Sequence, residues 1–120
     1  MTNDYEKVSN LNYLTGLAKG NTVFVKEMID MFLEDNPEEI KNLEQSIQNQ
    51  SYIHIKEIAH KMKSTISFVG LGPLIENELS EIEQLAITQS NIEKIRTLSL
   101  KVKEVCEKAS KELKSELADY

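Results

Sequence analysis

The chain has 120 residues, 40% of them hydrophobic and 28% charged, and a formal charge of −6. That length allows one domain whose core needs neither disulfides nor metal. The acidic balance argues against a general nucleic-acid binder, which needs a basic face against phosphates.

Residues 1–9 are polar and are expected to be poorly ordered. Leu11, Leu14 and Leu17 then recur at helical spacing, predicting a short first helix that ends near Gly20. Asn21 and Thr22 offer N-caps for a longer helix, in which Val25, Met28, Ile29, Phe32, Ile40, Leu43 and Ile47 keep one phase. "NPEE" at Asn36–Glu39 has the form of a fresh helix start, with an N-cap, a proline and then acids. The apolar phase nevertheless crosses Pro37 without a slip, so the expectation is one long helix kinked there. "NQS" at 49–51 marks a turn.

A third helix is predicted over Tyr52–Val69, closed by Gly70 and Gly72. Pro73 opens a fourth, to about Ala86, with Leu74, Ile75, Leu79, Ile82 and Leu85 inward. "TQSN" at 88–91 is a turn with a capping Ser or Asn. The last helix, about 91–117, carries Ile92, Ile95, Leu98, Val102, Val105, Ala109, Leu113 and Leu117 close to a heptad repeat. The predicted fold is all-α: an antiparallel four-helix bundle with a short additional N-terminal helix, as one domain over residues 1–120.

Cys106 is the one cysteine, so there is no disulfide framework and no Cys-based zinc site. It is expected as a small buried residue in its helix. No segment reaches the roughly 18 apolar residues of a membrane span. The first twenty residues carry Asp4 and Glu6 without an apolar run, which is not the pattern of a signal peptide. A cytoplasmic protein is expected.

The chemistry concentrates in the third helix. Placed on a wheel at about 100° per residue, Ile55, Ile58, Ala59, Met62, Thr65, Ile66 and Val69 share the core face. His60 falls on the outer side, flanked there by Lys56 and Lys63, with Ser64 and Ser67 one and two turns on. A neutral imidazole is a competent nucleophile near neutral pH. A lysine three residues on reaches the same space and can offset phosphoryl charge. Small residues at i+4 and i+7 let another protein's active site close over the ring. On pattern alone an exposed histidine among lysines is most often plain surface.

Other sites fare worse. His54, the second histidine, is six residues away on another side of the helix, so the two cannot chelate one metal. It is expected to pack at the core edge or line the helix start. No Asp or Glu stands beside His60 in the chain to orient it, and no Ser-His-Asp or Cys-His spacing supports hydrolysis. No metal and no cofactor is expected.

These residues resemble the histidine-containing phosphotransfer (HPt) domains of multistep two-component phosphorelays. The family pattern stands here as Ile58-Ala59-His60-Lys61-Met62-Lys63-Ser64-Thr65, with Val69-Gly70 at the turn. Upstream, "LTGLAKGNTVFVKEMIDMFLEDNPEEIKNL" is similar to the family's first two helices, and downstream "GPLIENELSEIEQLA" to the helix behind the histidine. The likeness spans about residues 11–86. Met62 stands for the usual Leu, a volume-conserving change, and Ser64 for a common Gly.

The resemblance implies that His60 takes a phosphoryl group from a receiver-domain aspartyl phosphate and passes it to another receiver. Lys63 would stabilise the charge and Ser64 would permit close approach, while Lys56 is a weaker helper by geometry alone. The implied partners are the receiver domains of a response regulator and of a hybrid histidine kinase, which would supply the magnesium. The protein would be a carrier with no ATP-dependent kinase or hydrolase activity, a monomer without nucleic-acid or membrane partners.

Phe24, Met28 and Met31 widen the apolar stripe of the second helix beyond one core face. Either the first helix covers them or part of them stays exposed near His60 as a receiver-docking patch, with Ser67 at its margin. The alternative to the carrier is a helical interaction module that keeps the bundle without phosphotransfer. The start at Met1 and the polar tail favour a free-standing protein over a piece of a hybrid kinase.

Overall fold

The apolar phases along the chain become five α-helices in the computed structural model, which describes residues 7–119. They are α1 (Asn12–Ala18), α2 (Thr22–Gln48), α3 (Tyr52–Phe68), α4 (Gly72–Ile87) and α5 (Ile92–Leu117), with no β-strand among the described residues. Connections of three or four residues force consecutive helices antiparallel. Each of α2 and α4 packs against both α3 and α5, and α1 lies on α2. The result is the expected four-helix bundle with a small leading helix.

Two helix starts, those of α2 and α5, are capped by a side chain. Asn21 accepts a hydrogen bond from the Phe24 amide at 3.1 Å, and Asn91 from the Lys94 amide at 3.2 Å. Both satisfy donors that a helix leaves unpaired at its N-terminus. Ser51 precedes α3, but its hydroxyl meets His54 Nδ1 at 2.6 Å instead of capping.

α2 runs unbroken through Pro37. Proline removes one backbone donor, the partner of the Leu33 carbonyl, while Phe32, Ile40 and Leu43 stay buried on both sides of it. The reading of Asn36 as a fresh N-cap is therefore set aside. Asn36 is 2% exposed, and its amide faces Cys106 Sγ at 3.6 Å. Cys106 is fully buried, and burial pushes its thiol up to about 11, which leaves it unreactive.

The core is one cluster. Ile29 and Leu43 of α2, Ile55, Met62 and Ile66 of α3, Ile75, Leu79 and Ile82 of α4, and Ile95, Val102 and Leu113 of α5 are almost wholly shielded. Leu74, expected inward, is 40% exposed. Ile75, Leu79, Ile82 and Ala86 already fill the stripe that α4 turns to its neighbours, and Leu74 sits a step outside it. Leu17 is also half exposed, because α1 has one buried position, Leu14.

At about 1.5 Å per residue, α2 and α5, of 27 and 26 residues, outreach α3 and α4, of 17 and 16. The excess lies at the α3–α4 turn, and the N-terminal segment crosses it. The Asn10 amide donates to the Val69 carbonyl at 2.8 Å. The Val8 and Ser9 amides donate to Glu112 of α5 at 2.9 Å each, and Ser9 Oγ does so at 2.6 Å. Lys7 pairs with Glu116. The loose run expected over residues 1–9 thus falls partly on residues 1–6, outside the described ones, while Lys7–Ser9 are fastened to α5. Gly70 makes room for this crossing: its φ is +78°, and a Cβ there would lie 2.5 Å from Asn10 O.

Candidate functional site

Core positions 55, 59, 62 and 66 fix the rotation of α3, so His60, at mid-helix, must face outward. Its side chain is 71% exposed. Its Nδ1 lies 2.9 Å from Glu83 Oε2 on α4, and the other oxygen of the same carboxylate lies 2.7 Å from Lys63 Nζ. One acid thus ties together the imidazole and the lysine predicted to work with it.

Lys63 is accordingly less free than its place on the wheel implies, at 27% side-chain exposure. Glu83 itself is held below the usual carboxylate range. The Lys63 hydrogen bond does most of this, partial burial opposes it, and His60 adds to it. Glu83 is therefore anionic at neutral pH. With Nδ1 facing that carboxylate, Nε2 is the ring nitrogen left to solvent.

Sequence reading missed Glu83. The nearest acid along the chain is Glu57, one turn before His60, but the carboxylate that meets the ring comes from α4, 23 positions away. A signal existed: Ile75, Leu79, Ile82 and Ala86 are the buried positions of α4, which puts Glu83 just beside the core stripe, at a depth matching His60 in an antiparallel pair.

Ser64 is exposed one turn beyond His60, and Ser67 spends its hydroxyl on the Ser64 carbonyl at 2.8 Å. Both leave a low surface. Lys56, one turn before His60, is partly buried. Ser64 also borders a groove of about 220 Å³ between α2 and α3, lined by Met28, Met31, Phe32, Asp35, Lys61, Thr65 and Phe68. Met31 is 55% exposed there and Met28 half-buried. Phe24 packs against the core and does not line the groove. α1 covers only its end, through Tyr13 stacked at 5.9 Å and tilted 49° on Phe68.

His54 lies elsewhere. It is exposed at the start of α3, in a polar recess with Ser46, Asn49 and Ser51. A larger cavity of about 540 Å³ opens between α2 and α5, rimmed by Lys41, Lys103, Lys111 and Lys114. That edge of the bundle is opposite the α3–α4 edge, so the cavity takes no part in His60 chemistry. Among the described residues no group of three or more His, Cys, Asp or Glu is arranged to hold a metal ion, and no helix is long and apolar enough to cross a membrane.

What the arrangement offers is an exposed nitrogen nucleophile on a rigid helix, a fixed anion behind it, a cation beside it and open space in front. Compared with known protein families, the chain matches the Hpt domain model over residues 27–119. The match begins inside α2 and continues through α5. Comparison with curated proteins and with solved structures gave no significant match.

Proposed function

The chain belongs to the Hpt domain family, whose members serve phosphotransfer in two-component signalling, and on that premise we propose that it is a phosphorelay carrier with His60 as the phosphorylated residue. The Nε2 lone pair attacks the phosphorus of an aspartyl phosphate on a receiver domain. The bond from phosphorus to the aspartyl oxygen breaks, and the carboxylate leaves with the electron pair. A second receiver's aspartate reverses the step and takes the phosphoryl group on. Such transfer asks mainly for positioning and charge stabilisation, which a rigid helix and Lys63 supply.

The observation that carries this reading is the exposure of His60 with its Nδ1 engaged and its Nε2 open. Ser64 and Ser67 let a receiver approach. Met28 and Met31 offer it an apolar foothold in the groove that Ser64 borders, with Lys56 on the far margin and Phe24 behind. The donor and acceptor receivers belong to a hybrid histidine kinase and a response regulator. The carrier works as a cytoplasmic monomer and hydrolyses no ATP.

The test is transfer itself. A radiolabelled phosphorylated receiver domain is mixed with the parent protein and with His60→Gln. Acid-labile, base-stable label is expected on the parent alone. No label from several receivers would favour an interaction module without phosphotransfer.

A further inference from the structure

Lys41 and Glu44 lie three residues apart on α2, while Lys103, Glu107, Lys111 and Lys114 follow one another on α5 at helical spacing, so each set shares one helix face. The two faces meet across the cavity of about 540 Å³ at the α2–α5 edge. Four lysines against two glutamates give its rim a charge of +2, on a chain whose total is −6. We infer that this cavity binds a small organic bisphosphate, a compact carbon body with a phosphoryl group at each end.

The lysines are not equivalent. Lys103 is already engaged: its Nζ pairs with Glu44 at 2.9 Å, and Glu107 also stabilises its charge. Lys41, Lys111 and Lys114 are exposed and form no ion pair with any described residue. They stand on both sides of the opening, Lys41 on α2 and the other two on α5. Packed helix axes lie about 8–10 Å apart, so one phosphoryl group held by Lys111 and Lys114 leaves Lys41 unanswered. A second group across the cavity answers it. Each phosphoryl group carries about −1.5 to −2 at neutral pH, so two of them match the three lysines closely.

The space between the cations has an apolar floor of Pro37 and Ile40. No aromatic side chain lines it, so a nucleobase would have no ring to stack on, whereas a sugar or short aliphatic body fits. The volume is that of small-molecule sites, about 300–1,000 Å³. Farther along the same edge the next recess offers one cation, Arg96, already facing Glu93 at 3.5 Å. An extended acidic peptide would therefore run off the cations. Because this edge is opposite α3 and α4, occupancy neither needs nor blocks His60.

Fructose 1,6-bisphosphate is the probe, titrated into the full chain at about 0.15 M salt, where distant exposed charges are screened. Calorimetry is expected to show one site per chain. Amide shifts should change over residues 36–44 and 103–114 and stay unchanged over 52–87. Lys41→Gln and Lys111→Gln should each weaken binding about tenfold, the worth of one charge-assisted hydrogen bond. Lys26→Gln removes the same charge from an exposed position near the start of α2 and should leave binding unchanged. Fructose 6-phosphate, with a single phosphoryl group, should bind more weakly by about tenfold or more. Neither heat nor shifts with the bisphosphate, or an equal loss in Lys26→Gln, overturns the site. Equal affinity for the monophosphate overturns the two-ended ligand. Tighter binding of hexaglutamate would assign the lysines to an acidic peptide instead. Capture by vesicles carrying phosphatidylinositol 4,5-bisphosphate, without binding of the soluble probe, would assign them to a membrane headgroup. A failure of label on His60 would remove the carrier reading alone and leave this cavity standing.

Discussion

Thr65 donates its hydroxyl to Glu39 Oε2 at 3.1 Å across the α2–α3 interface, while Glu39 Oε1 is buried without a hydrogen-bond partner. Glu39 is 9% exposed. Burial raises its pKa, against the lowering effects of Thr65, Lys61 and Asn36, and Asp35 adds to the rise. The native state therefore holds this proton more tightly than the unfolded chain does. Its stabilising effect is whole below the unfolded carboxyl range, about 4.3, and is lost as pH rises through the higher native value. Glu39→Gln removes that loss. The variant should melt like the parent near pH 4 and be more stable near pH 7.5 by about 1 kcal/mol, or roughly 4 °C. A lower melting temperature at pH 7.5 would mean that the ionised carboxylate contributes a favourable contact.

Met62 lies two residues from His60 and is fully buried. It anchors the helix that carries the ring. Met62→Ala is expected to cost about 2–5 kcal/mol through lost burial and the cavity left behind. Denaturant titration measures this. A loss under 1 kcal/mol would mean that the neighbouring side chains collapse into the space.

Gly70→Ala combines a positive φ with a collision against the Asn10 backbone. A loss of about 2–3 kcal/mol is expected. Asn10→Gly should not rescue it, since Asn10 O and N, at 2.5 and 2.8 Å from the added carbon, remain. Rescue would place the conflict in the Asn10 side chain instead.

Met31, exposed beside the groove that Ser64 borders, separates docking from chemistry. Met31→Glu should slow phosphoryl transfer from a receiver domain by tenfold or more and leave phosphorylation by phosphoramidate unchanged. Equal slowing with both donors would show that the substitution disturbs His60 rather than the partner.

Helical periodicity made much of this legible. The stripes that bury Ile55, Ala59, Met62 and Ile66 depend only on spacing within one helix, and the same spacing turns His60 outward. Glu83 depends on the register between α3 and α4, which the turn at 69–71 sets and no single-helix pattern contains. Glu39 was legible as acid but not as buried. It shares a phase with Phe32, Asn36 and Leu43, and that phase carries it inside. The fastening of Val8 and Ser9 escaped notice because their acceptor, Glu112, lies more than a hundred positions along the chain. Polar composition reads as looseness until the distant partner is known.

The fastening of Lys7, Val8 and Ser9 to Glu112 and Glu116 also decides how the molecule meets mechanical load. The two ends of the described chain lie side by side on α5. Tension applied between them peels these few contacts one after another, starting at the outermost. The helix that bears His60 is reached last, through the Asn10 amide on the Val69 carbonyl at its C-terminal end.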